Sequence, residues 1–189
     1  MKKIFIGVAF IAITLTACNN NNNTTEEKKN SDTTHMAAMP APATAGSSVK
    51  DIVEHYLHIK NALTKDDGKD AANGGKALSD AFAKFDQASL TAEQKKTYAD
   101  IVSDAKEHAE HISMNADKIA HQREHFETLS KDIYDLVKAF PAQQALYKDY
   151  CPMYNNGKGA TWVSETKDIK NPYLGKKMPT CGQVKEEIK

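Results

Sequence analysis

The chain has 189 residues, and its 25 lysines and arginines balance its 25 aspartates and glutamates, so the formal net charge is zero. This balance excludes the strongly basic character that is typical of nucleic-acid-binding proteins, and it does not suggest an acidic surface as a partner either. We therefore expect no nucleic acid among its partners.

The first residues are typical of a bacterial lipoprotein signal peptide. A basic start, Met1-Lys2-Lys3, precedes an apolar run that ends at Leu15-Thr16-Ala17-Cys18. The run is shorter than the roughly 20 residues that a membrane helix needs, and small residues before a cysteine are typical of export signals. We predict a signal peptide at residues 1–17 and a lipid on Cys18. This lipid would anchor the protein to a bilayer in the cell envelope, facing the periplasm.

The composition changes twice after Cys18. Residues 18–47 are rich in Asn, Thr, Ala and Pro and have few large apolar side chains, which predicts a disordered tether. Residues 48–189 have the length of one ordinary domain. Only Cys151 and Cys181 remain in this domain, an even number for an oxidising compartment.

The first part of this domain shows four stretches of helical periodicity. Ser48 can cap a helix that ends near Gly68, and a second helix follows from Asp70 to Phe85. The third begins at a capping box, Thr91-Ala-Glu-Gln94. Because one helix of about fifty residues would be unusual in a small domain, we place a break near Asn115, which can cap the fourth helix. The predicted fold is mainly α: an antiparallel four-helix bundle with an irregular C-terminal segment that contains a short β-hairpin.

Four histidines lie on either side of the predicted break. His108 and His111 are three residues apart, and His121 and His125 are four apart, so each pair shares a helix face. If the two helices fold back on each other, the pairs meet at similar heights, which is how bundles build metal sites. The alternative is a solvated flank of the bundle, because charged residues surround all four.

Two residues on the fourth helix suggest a structural role. Gln122 falls within the apolar stripe, so its amide needs a buried partner. We expect Gln122 or Arg123 to hold the irregular C-terminal segment against the bundle.

The C-terminal segment has a cysteine and a methionine near each end. Cys151 and Met153 stand at its start, and Met178 and Cys181 at its finish. Asn155-Asn156-Gly157 predicts a hairpin turn, and we expect a short helix or tail over Lys185–Ile188. Thiolate and thioether sulfurs bind Cu(I), and zinc is also suited when histidine joins them. The alternative is a Cys151–Cys181 disulfide that closes a loop of about 30 residues and contributes roughly 3 to 4 kcal/mol.

An ordered set of motifs resembles a bacterial domain family of unassigned function. The motifs are Gln122-Arg123-x-x-Phe126-x-x-Leu129-Ser130, Cys151-Pro152-Met153, Gly159-Ala160-x-Trp162-x-Ser164, Asn171-Pro172-Tyr173-x-Gly175-x-x-Met178 and Cys181-Gly182. That family occurs in small exported lipoproteins and as an addition to the adaptor subunits of CusB-type heavy-metal efflux systems. The resemblance implies a link to copper or related metals in the envelope. It also suggests structural roles for Trp162, Asn171 and Tyr173.

Two functions follow from these observations. In the first, Cys151, Met153, Met178 and Cys181 bind copper with help from the histidines, and the protein buffers the metal or passes it to an efflux adaptor. In the second, the domain is a structural or interaction module stapled by the disulfide. The metal-bound and disulfide forms could alternate, with copper held only when the thiols are reduced. We do not expect an enzyme, because the sequence has no Ser-His-Asp set, zinc-protease helix or phosphate-binding loop.

Overall fold

The computed structural model describes residues 48–140, 142 and 144–189. The predicted signal peptide, the predicted tether and the lipidation site at Cys18 lie outside the described residues. In the part of the chain that is described, no helix has the length and apolar character needed to cross a membrane.

Four helices form the bundle that the apolar periodicity predicted: α1 Val49–Thr64, α2 Gly68–Lys84, α3 Ala92–Met114 and α4 Ile119–Ala139. Consecutive helices pack against each other, and α4 also contacts α1, so the four enclose one core. Apolar side chains of every helix are buried there, among them Ile52, Leu78, Ile112 and Leu129. The predicted four-helix bundle is therefore confirmed.

Two of the helix starts have the capping that the sequence predicted. The Ser48 side chain accepts a hydrogen bond from the Asp51 amide, and the Asp51 carboxylate accepts one from the Ser48 amide. Thr91 and Gln94 form the same reciprocal pair at the start of α3. Each capping box satisfies backbone donors that have no partner within the helix.

The predicted role of Asn115 is wrong. Asn115 ends α3, and its side-chain amide donates to the carbonyl of His111 at 2.9 Å. The residue before α4 is Lys118, which makes no side-chain capping bond. Asparagine serves at either helix end, so its presence at a junction does not decide which helix it caps.

The C-terminal segment forms a small antiparallel sheet with strands β1 Leu146–Cys151, β2 Ala160–Ser164 and β3 Gln183–Ile188. β1 lies in the centre and pairs with both other strands. The predicted hairpin is confirmed as β1 and β2, whose turn includes Asn155 and Asn156 at positive φ. The expected helix or tail over the last residues is wrong, because pairing with β1 makes this stretch a strand.

Buried hydrogen bonds join the sheet to the bundle. β2 packs against α4, and the hydroxyl of Tyr56 on α1 accepts a hydrogen bond from the amide of Val163 at 3.0 Å. The same hydroxyl lies 2.8 Å from Oγ of Ser130 on α4. One tyrosine thus links both outer helices of the bundle to the sheet.

Candidate metal centre

The reversal of the chain between α3 and α4 brings the four predicted histidines together. The rings of His111 and His125 stack with centroids 4.3 Å apart, and His121 lies edge-on to His125 at 4.5 Å. The ring of His108 lies 5.1 Å from that of His125. The antiparallel packing therefore juxtaposes both pairs, as their spacing predicted.

Nitrogen atoms of this histidine cluster are within reach of a single ion. Ligand nitrogens of His111, His121 and His125 all lie within 4.8 Å of one another. Nε2 of His125 is 3.2 Å from Nε2 of His121, and Nδ1 of His125 is 2.8 Å from Nδ1 of His108. Imidazole nitrogen is a ligand for zinc, copper, iron and nickel.

Burial and the three neighbouring histidines lower the pKa of His125 to about 4. His125 is therefore neutral at neutral pH, and one of its ring nitrogens carries a free lone pair. A neutral imidazole is the form that binds metal. The surrounding carboxylates are peripheral: Glu124 contacts Nδ1 of His121 at 3.2 Å, and Glu107 lies 3.8 Å from Nε2 of His111.

Two aspartates beside His108 were missed by the sequence analysis. Ligand atoms of Asp104, His108 and Asp132 lie within 4.8 Å of one another. Burial, together with Asp104 and Asp135, raises the pKa of Asp132 to about 7. Asp104 stands four residues before His108, and Asp132 seven after His125, so helical spacing was the signal that could have found them.

The two cysteines also meet, at a different place. Cys151 ends β1 and is buried, while Cys181 stands two residues before β3, which pairs with β1. Their sulfur atoms lie 3.1 Å apart, beyond the length of a disulfide bond, which is about 2.05 Å. Contact with the Cys151 thiol and burial raise the pKa of Cys181 above its ordinary value. Both residues are free thiols.

The histidines do not join this thiol pair, although the backbone of Met153 contacts the Cys181 sulfur. Met153 is 58% exposed, whereas Met178 is half-buried and its carbonyl accepts a hydrogen bond from the Cys181 amide at 3.2 Å. Among the described residues, no cluster of three ligand atoms from His, Cys, Asp or Glu contains a cysteine. The structure thus places the predicted ligands in two separate groups, one of imidazoles and one of thiols.

Arg123 connects the C-terminal segment to the bundle. Its guanidinium donates to the carbonyl of Pro172 at 2.8 Å, to the carbonyl of Leu63 at 2.9 Å and to the carboxylate of Asp66 at 2.5 Å. Its neighbour Gln122 makes its hydrogen bonds within the bundle and not to the C-terminal segment.

The Gln122 amide donates within the bundle, to the carbonyls of Gly68 and Ile112 at 2.8 and 3.0 Å. It therefore ties the start of α2 and the end of α3 to α4. This contact supports the part of α3 that carries His111.

The other three residues singled out by the motifs form a buried group that contacts the backbone of Cys181 and of β2. Asn171 donates to the carbonyl of Cys181 at 2.6 Å and accepts from the Tyr173 amide at 2.8 Å. The Tyr173 hydroxyl donates to the carbonyl of Thr161 at 2.5 Å. Trp162 is fully buried and lies edge-on to Tyr173. Together they hold the chain around Cys181 against the sheet.

These features define a class of protein: a helical-bundle domain with a small C-terminal sheet, a histidine cluster between two helices and a pair of adjacent thiols. Residues 52–145 match the model of a protein family described as "Protein of unknown function (DUF3347)". The match covers the bundle and supports the resemblance to a domain of unknown function. No curated protein and no solved structure matches the chain.

Proposed function

We propose that this protein is a lipid-anchored envelope protein that binds copper or a related transition metal through the histidine cluster. The observation that carries this proposal is the convergence of His111, His121 and His125 within 4.8 Å. Surface histidines that serve only solubility have no reason to stack with their nitrogens together, since each protonated ring would repel the next. Zinc is the alternative ion, because it also accepts imidazole ligands.

The thiol pair supports copper over zinc because zinc almost always takes four ligands, and among the described residues no His, Asp or Glu ligand atom joins the two sulfurs. Two thiols 3.1 Å apart provide a soft site for Cu(I) once their protons are displaced, whereas imidazoles accept either Cu(I) or Cu(II). One chain would then offer donors for both copper oxidation states. The role we propose is metal buffering or hand-over to a heavy-metal efflux adaptor, with Cys18 as the lipid-bearing residue.

Metal titration of the purified full chain tests the histidine assignment. We expect His125→Ala to weaken copper binding at least tenfold, which corresponds to about 1.4 kcal/mol, because His125 is central to the cluster. His55→Ala is the matched control, since His55 lies on α1 outside the cluster. If His125→Ala and the wild-type protein bind copper with equal affinity in a competition assay with a chelator, the proposal is contradicted.

The thiol assignment needs its own variant. Under reducing conditions Cys151→Ser should lower the Cu(I) affinity and leave Cu(II) or Zn²⁺ binding to the histidines unchanged. The lipid anchor is tested separately: palmitate labelling in a bacterial host should require Cys18 and disappear in Cys18→Ser.

A structural module stapled by a disulfide is the second candidate. The observation that favours it is the approach of Cys151 and Cys181, which would need only a small movement to bond. Oxidised protein should then have no free thiol in this domain and a higher melting temperature, from a stabilisation of roughly 3 to 4 kcal/mol. Cys181→Ser should abolish that difference. If the oxidised protein keeps its thiols, this candidate is excluded.

A further inference from the structure

We propose that a second cation binds beside the histidine cluster, between Asp104 and His108 of α3 and Asp132 of α4. This inference rests on the proposed function, which it extends from one ion to two. Its three ligands are different residues from those of the first position, so the two can be tested separately.

The geometry follows from the antiparallel pairing of the two helices. Asp104 and His108 are four residues apart on one face of α3, and Nε2 of His108 lies 3.5 Å from the carboxylate of Asp104. Asp132 lies on α4, and its carboxylate comes within 4.8 Å of both ligand atoms. One imidazole and two carboxylates from two helices resemble the ligand sets that bundles build for metal ions.

The carboxylate of Asp132 gives independent support. Its Oδ2 is buried and has no hydrogen-bond partner among the described residues. The charged groups near it are Asp104 and Asp135, which are acidic, and Lys131, which pairs with Glu127 at 3.3 Å. A buried carboxylate oxygen without a donor is costly. A cation held there would compensate this cost.

The ligand set defines the kind of ion. Two carboxylate oxygens and one imidazole nitrogen form a harder site than three imidazoles, so the position suits divalent zinc, manganese or iron better than Cu(I). An ion can reach this position from solvent through Asp104, whose side chain is 58% exposed, whereas His108 is 17% exposed.

The two positions share one contact. Nδ1 of His108 lies 2.8 Å from Nδ1 of His125, and the opposite nitrogens, Nε2, face the two candidate ions. A neutral histidine that binds metal through Nε2 carries its hydrogen on Nδ1. If both histidines bound metal in this way, two hydrogens would lie between nitrogens that are 2.8 Å apart, where there is room for only one. We therefore expect the second ion to bind more weakly than the first.

Counting zinc ions bound to the purified full chain tests this inference. With Zn²⁺ alone as the probe, equilibrium dialysis should give two ions per chain for the unchanged protein. Asp132→Asn should give one, and His121→Ala should also give one, because each variant removes a ligand of only one position. Glu93→Gln, which removes an exposed carboxylate in the first turn of α3, is the control and should give two.

Asp104→Asn supplies a second variant in case Asp132→Asn fails to fold, since Asp104 is largely exposed; it too should give one ion. If the wild-type protein binds one zinc ion, and Asp132→Asn and Asp104→Asn also bind one, the second site is overturned. The proposed function would then remain intact. No loss in His121→Ala, with the loss confined to the aspartate variants, would overturn the histidine site instead.

Discussion

Asp149 is a buried carboxyl group for which the structure provides little compensation. It lies opposite Trp162 in the central strand pair, and the indole Nε1 of Trp162 is the polar side-chain atom beside it, although the two do not meet the geometry of a full hydrogen bond and neither has another partner among the described residues. Burial raises the pKa of Asp149 to about 7, although Lys60 acts in the opposite direction. Lys60 is itself fully buried and pairs with Glu165 at 2.5 Å.

The raised pKa of Asp149 predicts a pH-dependent stability. The folded protein keeps the Asp149 proton up to about pH 7, whereas the unfolded chain releases it near 3.8. The contribution of this residue to the free energy of unfolding therefore falls as the pH rises between those values. The change in the free energy of unfolding caused by Asp149→Asn should therefore be about 2 to 4 kcal/mol more favourable at pH 8 than at pH 4.

Urea denaturation of both proteins at several pH values measures this difference. Asp168→Asn provides a control, because Asp168 is exposed and should show no such change. A constant difference between Asp149→Asn and the unchanged protein from pH 4 to 8 would contradict the assignment.

A glycine pair in α2 lets this helix approach both of its neighbours closely. A Cβ atom added at Gly74 would lie 2.9 Å from a side-chain carbon of Ile59 on α1. One added at Gly75 would lie 2.7 Å from the carbonyl oxygen of Ala109 and 2.9 Å from the amide of Ser113, both on α3. These glycines weaken the helix locally, but they let α1 and α3 pack on both sides of it.

Gly75→Ala should therefore destabilise the protein, despite the gain in helix propensity. The gain is about 1 kcal/mol, whereas forcing α3 outward costs typically 1 to 3 kcal/mol. Because His108 and His111 flank Ala109, zinc affinity should fall as well. Thermal unfolding and zinc titration measure the two effects.

Asn73→Ala is the matched control, because Asn73 is exposed on the same helix. It should raise the melting temperature slightly and leave zinc binding unchanged. If Gly75→Ala is more stable than the wild-type protein and binds zinc equally well, the prediction is contradicted, because α3 would then have room for the added methyl group.

The whole domain depends on a few side chains that cross from the bundle to the C-terminal segment. Arg123 is the principal one, since it joins the junction of α1 and α2, at Leu63 and Asp66, to Pro172 in the C-terminal segment. The Asp66 carboxylate it binds also accepts from the Lys176 amide at 3.2 Å. Arg123 lowers the pKa of Asp66.

Arg123→Ala should cost about 2 to 4 kcal/mol, because it removes the donor of the Pro172 carbonyl and the charged partner of Asp66. Lys131→Ala is the comparison, since Lys131 forms an exposed ion pair with Glu127, and such pairs contribute at most about 1 kcal/mol. Hydrogen exchange should also become faster around Pro172 in Arg123→Ala alone. Equal stability of the two variants would rule out the linking role of Arg123.

The helices were predictable because their signals are local. Apolar spacing, Ser48 and Thr91 as caps, and the four-residue and three-residue spacing of the histidines all depend on neighbours within one helix. β3 was not predictable in this way. Five of its six residues are at least partly exposed, so its strand conformation comes from pairing with β1 and not from its own pattern.

The sequence by itself determined the four helices, the central hairpin and the shared faces of the two histidine pairs. Only the tertiary structure decided that Asp132 of α4 adjoins His108 of α3, and that the thiols meet apart from the imidazoles. The physical reason is that spacing along one helix defines a face, whereas the partner of that face depends on how each helix is rotated and packed against its neighbours.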